Sequence, residues 1–161
     1  MLTMTVTLRN MTPDEFESAI ESSLASFVAE MVNQGNLRPE DAPDEIRRRR
    51  AQHLPDGLET EHMLLLAGEV DGAPIGWLWL ALPGAPNHVD TAWVYNVVVD
   101  EEHRGKGYGR GLMLAAEEEL VHRGVTKLGL NVFGGNTTAI RLYESLGYEI
   151  ISQQMSKPLG G

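Results

Sequence analysis

The sequence contains no cysteine, and it is poor in positive charge. The absence of cysteine excludes disulfides, thiolate metal sites and cysteine nucleophiles, and it suits a reducing compartment. Only 13 lysines and arginines accompany 23 aspartates and glutamates, which gives a formal net charge of −10. This balance argues against general binding to nucleic acid or anionic membranes, because phosphate groups require a basic face. It suits a cationic partner such as an amine, although solubility alone accounts for it equally well.

Long apolar segments are also missing, since no run approaches the roughly 20 residues that span a bilayer. Residues 1–10 alternate in polarity instead of forming a cationic segment followed by an apolar one. We therefore expect a cytoplasmic protein with no membrane partner. A chain of 161 residues can bury a core without metal or disulfides, so we expect a single domain over residues 1–161.

The most informative stretch combines glycine with positive charge. Val97, Val98 and Val99 have the β-branched, apolar character of a buried strand. Glycines then occupy every second position from 105 to 111, with cations at positions 104, 106 and 110. A helix is predicted to begin near Gly109, and the N–H groups at a helix start attract anions. Because glycine lets a ligand approach the backbone closely, this loop is expected to hold a phosphate or pyrophosphate.

Two common glycine motifs do not fit this segment. A nucleotide P-loop requires Ser or Thr after Gly-Lys, but Gly107 follows Gly105-Lys106. The dinucleotide fingerprint Gly-x-Gly-x-x-Gly fails in each frame, because its last position is Arg110, Leu112 or Leu114. A turn that binds nothing is the remaining alternative, and three cations in an otherwise acidic chain count against it.

Hydrophobic periodicity predicts the order strand, two helices, hairpin, long strand, helix, strand, helix, strand. This order is typical of an α/β protein with a mixed, mostly antiparallel sheet and helices on both faces. Thr12, Pro13 and Glu15 form a capping box at the first helix, and Asp71-Gly72 marks the hairpin turn. The predicted strands are residues 3–9, 62–69, 74–82, 91–99, 127–132 and 148–157, and the predicted second helix is residues 44–54.

Three sets of residues have a structural interpretation that competes with a functional one. The four arginines at 47–50 are expected to form a solvated, partly ion-paired helix face, because acidic residues lie close by. Trp77 and Trp79 share one strand face, where core packing is favoured over an acceptor pocket. The histidines lack metal-ligand spacing, so no metal site is predicted. Each is expected at the surface; they are His53, His62, His88, His103 and His122.

Two motifs resemble those of the GCN5-related N-acetyltransferase superfamily. The pattern Arg104-x-x-Gly107-x-Gly109 follows a strand ending in Val-x-Val-Asp and precedes an amphipathic helix, as in the acyl-CoA pyrophosphate loop of that superfamily. Residues 130–148 are similar to its strand, Asn-capped helix with Asn-x-x-Ala-x-x-Leu-Tyr-Glu, and Leu-Gly-aromatic exit. The resemblance is specific over residues 93–149. It implies the acetyltransferase fold, in which the strands ending at positions 99 and 132 splay apart.

The resemblance implies binding of acetyl-CoA and transfer of its acetyl group to an amine. The strand before the loop would pair with the pantetheine amides, and one of its N–H groups would polarise the thioester carbonyl. Loop amides and charges would hold the diphosphate. The expected CoA-binding residues are Val97, Val98, Val99, Arg104, Gly105, Lys106, Gly107, Tyr108, Gly109, Arg110 and Asn136.

Tyr143 is the expected general acid in this comparison, since it matches the family position before Glu144. A phenol can donate a proton to a departing thiolate. The alternative is a core aromatic, because Tyr143 also belongs to the apolar stripe of its helix, with Ala139 and Leu146.

The general base stays open. Many members of the superfamily carry a glutamate on the strand before the glycine loop, whereas this strand reads Trp93-Val94-Tyr95-Asn96. Water relayed from Tyr95, Asn96 or Asn131 is one alternative. An amine that arrives already deprotonated is another.

We expect an acetyl-CoA-dependent N-acetyltransferase that acts on a primary amine of a small molecule, antibiotic or peptide. The alternative function is a CoA-binding regulatory protein of the same fold that transfers nothing. The acceptor pocket is expected to come from the two N-terminal helices and the loop at residues 83–90, whose motifs do not identify the acceptor. The resemblance also suggests a homodimer.

Overall fold

The computed structural model describes residues 5–160, which fall into two compact units, Met1–Asn131 and Val132–Gly161. Within these residues, no helix is both long enough and apolar enough to cross a bilayer. In chain order, the first unit contains β1 (Thr7–Asn10), α1 (Pro13–Asn33), α2 (Ala42–His53), β2 (Met63–Val70), β3 (Ala73–Ala81), β4 (Ala92–Val99), α3 (Tyr108–His122) and β5 (Leu128–Leu130). The second unit contains α4 (Thr137–Ser145).

The five strands form one sheet in the order β1-β2-β3-β4-β5. Neighbours are antiparallel except for the parallel pair β4 and β5, so the predicted mixed, mostly antiparallel sheet is confirmed. Of the predicted first strand, Thr3 and Met4 lie outside the described residues, and pairing with β2 begins at Thr7. Asp71 and Gly72 both have positive φ, 51° and 80°, as a tight hairpin turn between β2 and β3 requires.

The start of α1 has the predicted capping box. The Thr12 hydroxyl accepts a hydrogen bond from the Glu15 N–H at 3.2 Å, and the Thr12 N–H donates to Glu15 Oε1 at 2.9 Å. These two bonds satisfy backbone donors that the helix itself leaves without partners. The helix ends at Asn33, and Gly35 follows with a φ of 77°.

The arginines of α2 are paired with carboxylates, as predicted. Arg48 and Arg49 both bind Glu45, and Arg47 binds Asp44 one turn earlier. Arg50 reaches α1, where its Nη2 lies 2.7 Å from Glu17 Oε1. The helix begins at Ala42, two residues before the predicted start.

Helices cover both faces of the sheet. On one face, Phe16, Ile20 and Leu24 of α1 pack in a cluster with strand residues that include Trp79, which is only 3% exposed. The core interpretation of Trp79 is therefore confirmed. On the other face, α3 buries a stripe made of Leu112, Met113, Ala116 and Leu120. A side chain at Gly76 is excluded mainly by β4, because a Cβ there would clash with the Val98 carbonyl oxygen, and Leu112 of α3 would lie 3.1 Å from it on the same face.

In the second unit, α4 begins after the predicted cap residue Asn136, whose Oδ1 accepts a hydrogen bond from the Ala139 N–H at 3.2 Å.

The predicted final strand at residues 148–157 is wrong, since no strand follows α4 within the described residues. A strand forms only where a neighbouring strand pairs with it, whereas local composition indicates only the preference of the side chains for strand structure. Here Ile150, Ile151 and Met155 are exposed.

Candidate active site

The pairing of β4 with the strands on both sides of it changes at Tyr95. Leu80 of β3 pairs with Val94 and Trp79 pairs with Asn96, so Tyr95 is the extra residue of a bulge. In the described part of the chain, the ladder between β4 and β5 covers only Ala92, Trp93 and Val94. Bulges redirect a side chain and end pairing next to functional sites. Residues 95–99 therefore present one edge of β4 that β5 does not cover, as the predicted splaying of the two strands requires.

The uncovered part of β4 leads directly into the glycine segment. Gly105 and Gly107 have φ values of 78° and 83°, in the left-handed region that side chains disfavour. Gly107 is the N-cap of α3, and the first bond along the helix runs from the Gly111 N–H to the Gly107 carbonyl at 3.2 Å. A Cβ at Gly105 or Gly107 would meet nothing within 4 Å. The backbone conformation, rather than crowding, is what requires glycine here.

The first turn of α3 carries positive charge and no negative charge. The first turn of α3 contains no acidic residue, and Arg110 lies in it. Arg104 Nε donates to the Val99 carbonyl at 3.2 Å, which ties the glycine segment to the end of β4. Because the N-terminus of a helix already carries partial positive charge, this combination favours an anion in front of α3.

A cluster of aromatic and imidazole rings lies around the bulge. Tyr95 stacks on Trp79 with ring centres 4.7 Å apart, and His53 at the end of α2 lies 5.2 Å from the Tyr95 ring. His88 stacks on Trp93 at 5.2 Å, and its Nε2 lies 3.0 Å from the Tyr95 hydroxyl. We call these five residues, His53, Trp79, His88, Trp93 and Tyr95, the ring cluster.

Burial shifts the titration of three members of the ring cluster. It lowers the pKa of His88, and it is the main cause of the lowered pKa of His53, to which Arg49, Arg48 and His88 add repulsion. Burial also raises the pKa of Tyr95. At neutral pH the two imidazoles are therefore favoured as neutral rings and the phenol as a protonated one.

The surface prediction for the histidines is therefore wrong for His53 and His88, which are half-buried. His62 and His103 are half-buried as well, and the His103 ring lies edge-on to Tyr108 at 5.9 Å. The sequence carries no local signal for this placement, because His88 meets Tyr95 across a loop and His53 comes from a distant helix. In residues 5–160, no group of three or more acidic or histidine side chains is arranged to hold a metal ion.

Asn96 follows the bulge and is held by α1, the helix that packs on the face containing Trp79. Its Nδ2 donates to Ser23 Oγ of α1 at 2.6 Å, and Ser23 is buried. Sequence reasoning did not identify Ser23, since a serine inside a helix has no distinctive pattern. The bond fixes the side chain beside Tyr95 and so stabilises the bulge.

The other predicted site residues belong to the second unit. Asn136 serves as the cap of α4, and Tyr143 lies within that helix, half-buried, with its ring edge-on to Tyr148 at 5.9 Å. Burial raises the pKa of Tyr143, so its phenol stays protonated at neutral pH. The structure thus brings together the predicted residues of β4 and the glycine segment, and it places Asn136 and Tyr143 on one helix.

A cleft of about 430 Å³ lies elsewhere, between the loop that follows β3 and the connection from α3 to β5. Its lining includes Leu82, Asp90, Arg123 and Thr126. These residues adjoin the beginning of β4, whereas the glycine segment follows its end. The cleft contains none of the residues predicted to bind CoA or to react. Two residues of its lining, Pro83 and Asp90, belong to the loop predicted to contribute to the acceptor pocket.

The family match agrees with the motifs. The family model described as Acetyltransferase (GNAT) family matches residues 26–148 of this chain. The uncharacterized N-acetyltransferase YycN of Bacillus subtilis (strain 168) is 35% identical over 158 residues, which cover 97% of this chain and 100% of YycN. The uncharacterized N-acetyltransferase YdgE of the same strain is 30% identical, over 97% of this chain and 99% of YdgE.

Solved structures give the same fold. The crystal structure of YycN superposes with a TM-score of 0.88 at 33% identity, covering 98% of this chain and 100% of that one. The PaiA N-acetyltransferase of Thermoplasma acidophilum, solved in complex with coenzyme A, has a TM-score of 0.65 at 20% identity and covers 94% of both chains. The second comparison shows the likeness of fold alone.

Proposed function

This chain belongs to the acetyltransferase (GNAT) family of N-acetyltransferases, and from that premise we propose that it transfers the acetyl group of acetyl-CoA directly to a primary amine. The proposed acceptor is a small molecule or a peptide. The family model crosses from the first compact unit into the second, which supports the further proposal that residues 1–161 act as one acetyltransferase domain.

The observation that carries the proposal is the start of α3. Two glycines with positive φ lead into a helix whose first turn has no carboxylate, among cations at positions 104, 106 and 110. Helix N–H groups and charges of this kind bind phosphate oxygens without any metal. We propose that this segment holds the diphosphate of acetyl-CoA through Arg104, Gly105, Lys106, Gly107, Tyr108, Gly109 and Arg110.

The uncovered edge of β4 supports the second part of the binding site. Backbone groups at a strand edge pair with any extended chain that offers amides, and the pantetheine arm of CoA offers two. We propose that residues 97–99 receive the arm and that one of their N–H groups polarises the thioester carbonyl. Polarisation matters because negative charge develops on that oxygen when the amine attacks.

Tyr143 is the proposed general acid for the departing thiolate, and Asn136 a proposed CoA contact. Both assignments rest on the motif around α4, and burial keeps the Tyr143 phenol in the protonated form that a proton donor needs. In the variant Tyr143→Phe, we expect kcat to fall on the order of a hundredfold with little change in KM for acetyl-CoA. Tyr148→Phe, a phenol of the same unit, is the control and should retain turnover. Equal turnover by Tyr143→Phe and the wild type would remove Tyr143 from the mechanism.

The test of the function itself is mass spectrometry of an amine library incubated with the protein and acetyl-CoA. We expect one class of amine to gain an acetyl group at a rate proportional to protein concentration. Release of CoA thiol, measured in parallel, should equal the acetylated product. Binding of CoA without transfer to any amine in the library would overturn the proposal and favour a regulatory CoA-binding protein instead.

A further inference from the structure

His88 and Tyr95 meet from two segments that are each positioned by other bonds. His88 precedes β4 in a loop whose own backbone bonds hold it, from the His88 N–H to the Ala85 carbonyl and from the Gly84 N–H to the His88 carbonyl. Tyr95 is the extra residue of the bulge, so its side chain is set by the break in pairing rather than by the sheet register. The imidazole Nε2 and the phenol oxygen nevertheless meet at 3.0 Å.

The reaction needs a group that accepts a proton. When an amine attacks a thioester, its nitrogen becomes positively charged and must lose a proton before the thiolate leaves. β4 contains no carboxylate between Ala92 and Val99. Tyr95 lies where the part of β4 that β5 does not cover begins. It is two residues before Val97, which is about 7 Å along the strand at roughly 3.3 Å per residue.

We propose that Tyr95 and His88 together accept the proton of the attacking amine, with Tyr95 contacting the amine and His88 acting through Tyr95. This inference rests on the proposed function, and it assigns the base that the sequence left open. Tyr95 is the catalytic residue of the pair, and His88 is its positioning residue and the final holder of the proton.

The proton transfer balances without any other reactant. As the bond from nitrogen to the acetyl carbon forms, the amine N–H gives its proton to the Tyr95 oxygen, and the Tyr95 O–H gives its own proton to His88 Nε2. The electron pair of the cleaved carbon–sulfur bond leaves on the CoA sulfur. Tyr95 ends as a neutral phenol and His88 as imidazolium, which returns its proton to water because the ring is only half-buried.

The surroundings of His88 and Tyr95 set the protonation state from which this step starts. Tyr95 and Trp93 face it from β4, and His53 faces the same cluster from α2, a helix that also carries Arg48 and Arg49. No carboxylate appears among these contacts of the described residues, so nothing there stabilises imidazolium. Burial lowers the pKa of His88, which keeps Nε2 free of a proton before the reaction. Burial raises the pKa of Tyr95, which keeps its phenol protonated before the reaction.

The experiment measures kcat against pH for the wild type, His88→Gln and Tyr95→Phe. The probes are acetyl-CoA with spermidine, kanamycin and a short peptide with a free amino terminus, and CoA thiol release is the readout. We expect wild-type kcat to rise with pH through the pKa of His88, below the ordinary imidazole value of about 6.5. Both variants should lose on the order of a hundredfold in kcat at neutral pH, with KM for acetyl-CoA unchanged. The acidic limb of the profile, which is the fall in kcat at low pH, should be absent in His88→Gln.

Two controls separate this chemistry from structure. His122→Gln changes an exposed histidine of α3 and should leave the pH profile as it is. His88→Ala should regain activity when imidazole is added, which a purely structural residue would not do. Melting temperatures of all variants report whether each one folds.

The outcomes are distinct. Transfer by the wild type, with the same acidic limb and rate in His88→Gln, would overturn this inference and leave the proposed function intact. Failure of the wild type to acetylate any of the probes would overturn the function for these amine classes and the inference with it. Loss of the limb together with imidazole rescue of His88→Ala would support both.

Discussion

The helices α2 and α3 differ in the charges at their N-terminal ends. α2 has Asp44 and Glu45 in its first turn and Arg50 and His53 in its last, which is the arrangement that the helix dipole favours. α3 has no acidic residue in its first turn and carries Arg110 there instead. Each misplaced charge costs about 0.3–1 kcal/mol.

This difference separates a structural use of arginine from a functional one. Every arginine of α2 has a carboxylate partner on α1 or α2. The start of α3 adds two left-handed glycines to its cations, and neither feature stabilises a helix. Sequences break local rules of this kind mainly at functional sites. The paired arginines of α2 contribute to the fold, and we propose that the cations at the start of α3 are placed for a ligand.

The largest loss of CoA affinity should come from charge reversal at Lys106. In Lys106→Glu, two units of charge change next to the proposed diphosphate, so CoA affinity should fall on the order of a hundredfold at low salt and less at high salt. Stability should not fall, because a carboxylate near the start of α3 suits the helix dipole. Titration calorimetry and thermal unfolding measure the two quantities.

The matched control is Arg47→Glu on α2, which changes the net charge of the protein by the same amount. Its CoA affinity should stay close to that of the wild type. Equal losses in the two variants would show that CoA responds to overall charge and not to the start of α3.

The next largest loss of CoA affinity should come from substitution of Gly107, the N-cap of α3. Gly107→Ala forces a side chain into a φ of 83° at the proposed diphosphate site, and CoA affinity should fall roughly tenfold. Gly124→Ala is the control, since Gly124 has a φ of 82° and equally open surroundings at the other end of α3. Both variants should lose similar stability. A similar loss of CoA affinity in both would mean that strain alone weakens binding.

A smaller effect should appear in the acid stability of α2. The hydrogen bond from Arg48 is the main cause that lowers the pKa of Glu45 from 4.5 to about 2. A lowered pKa contributes stability that is present above pH 4.5 and is lost as the pH falls towards 2. Glu45→Gln should therefore show a shallower fall in melting temperature between pH 5 and pH 2 than the wild type. Parallel curves for the two proteins would contradict this assignment.

The smallest change in stability is expected from loss of the ion pair between Arg50 of α2 and Glu17 of α1. Arg50→Gln removes an exposed ion pair with Glu17, so the melting temperature should fall only slightly, and less at high salt. CoA affinity should not change. A marked loss of CoA affinity in this variant would assign α2 a part in binding that its paired charges do not suggest.

The sequence predicts the local parts of this molecule well. The capping box at Thr12, the hairpin turn at Asp71-Gly72 and the buried stripe of α3 each depend on neighbours within one or two helical turns. The glycine segment is predictable for the same reason. Local chemistry sets the φ of Gly107, and the sequence displays that chemistry directly.

The remaining features depend on contacts between distant residues. Tyr95 becomes the bulged residue only through the register of β3, and His88 reaches it from a loop. Ser23 and Asn96 are 73 residues apart. The final segment has apolar residues typical of a strand, but a strand also requires a partner. None of these relations has a period or motif that a single sequence displays.

The most direct measurement is a calorimetric comparison of coenzyme A with pantetheine, which lacks the diphosphate and the adenosine 3′-phosphate attached to it. If the start of α3 holds the diphosphate, coenzyme A binds saturably with one site per chain, and pantetheine binds at least a hundredfold more weakly. Equal affinities for the two compounds, or no heat of binding with coenzyme A, would contradict the account.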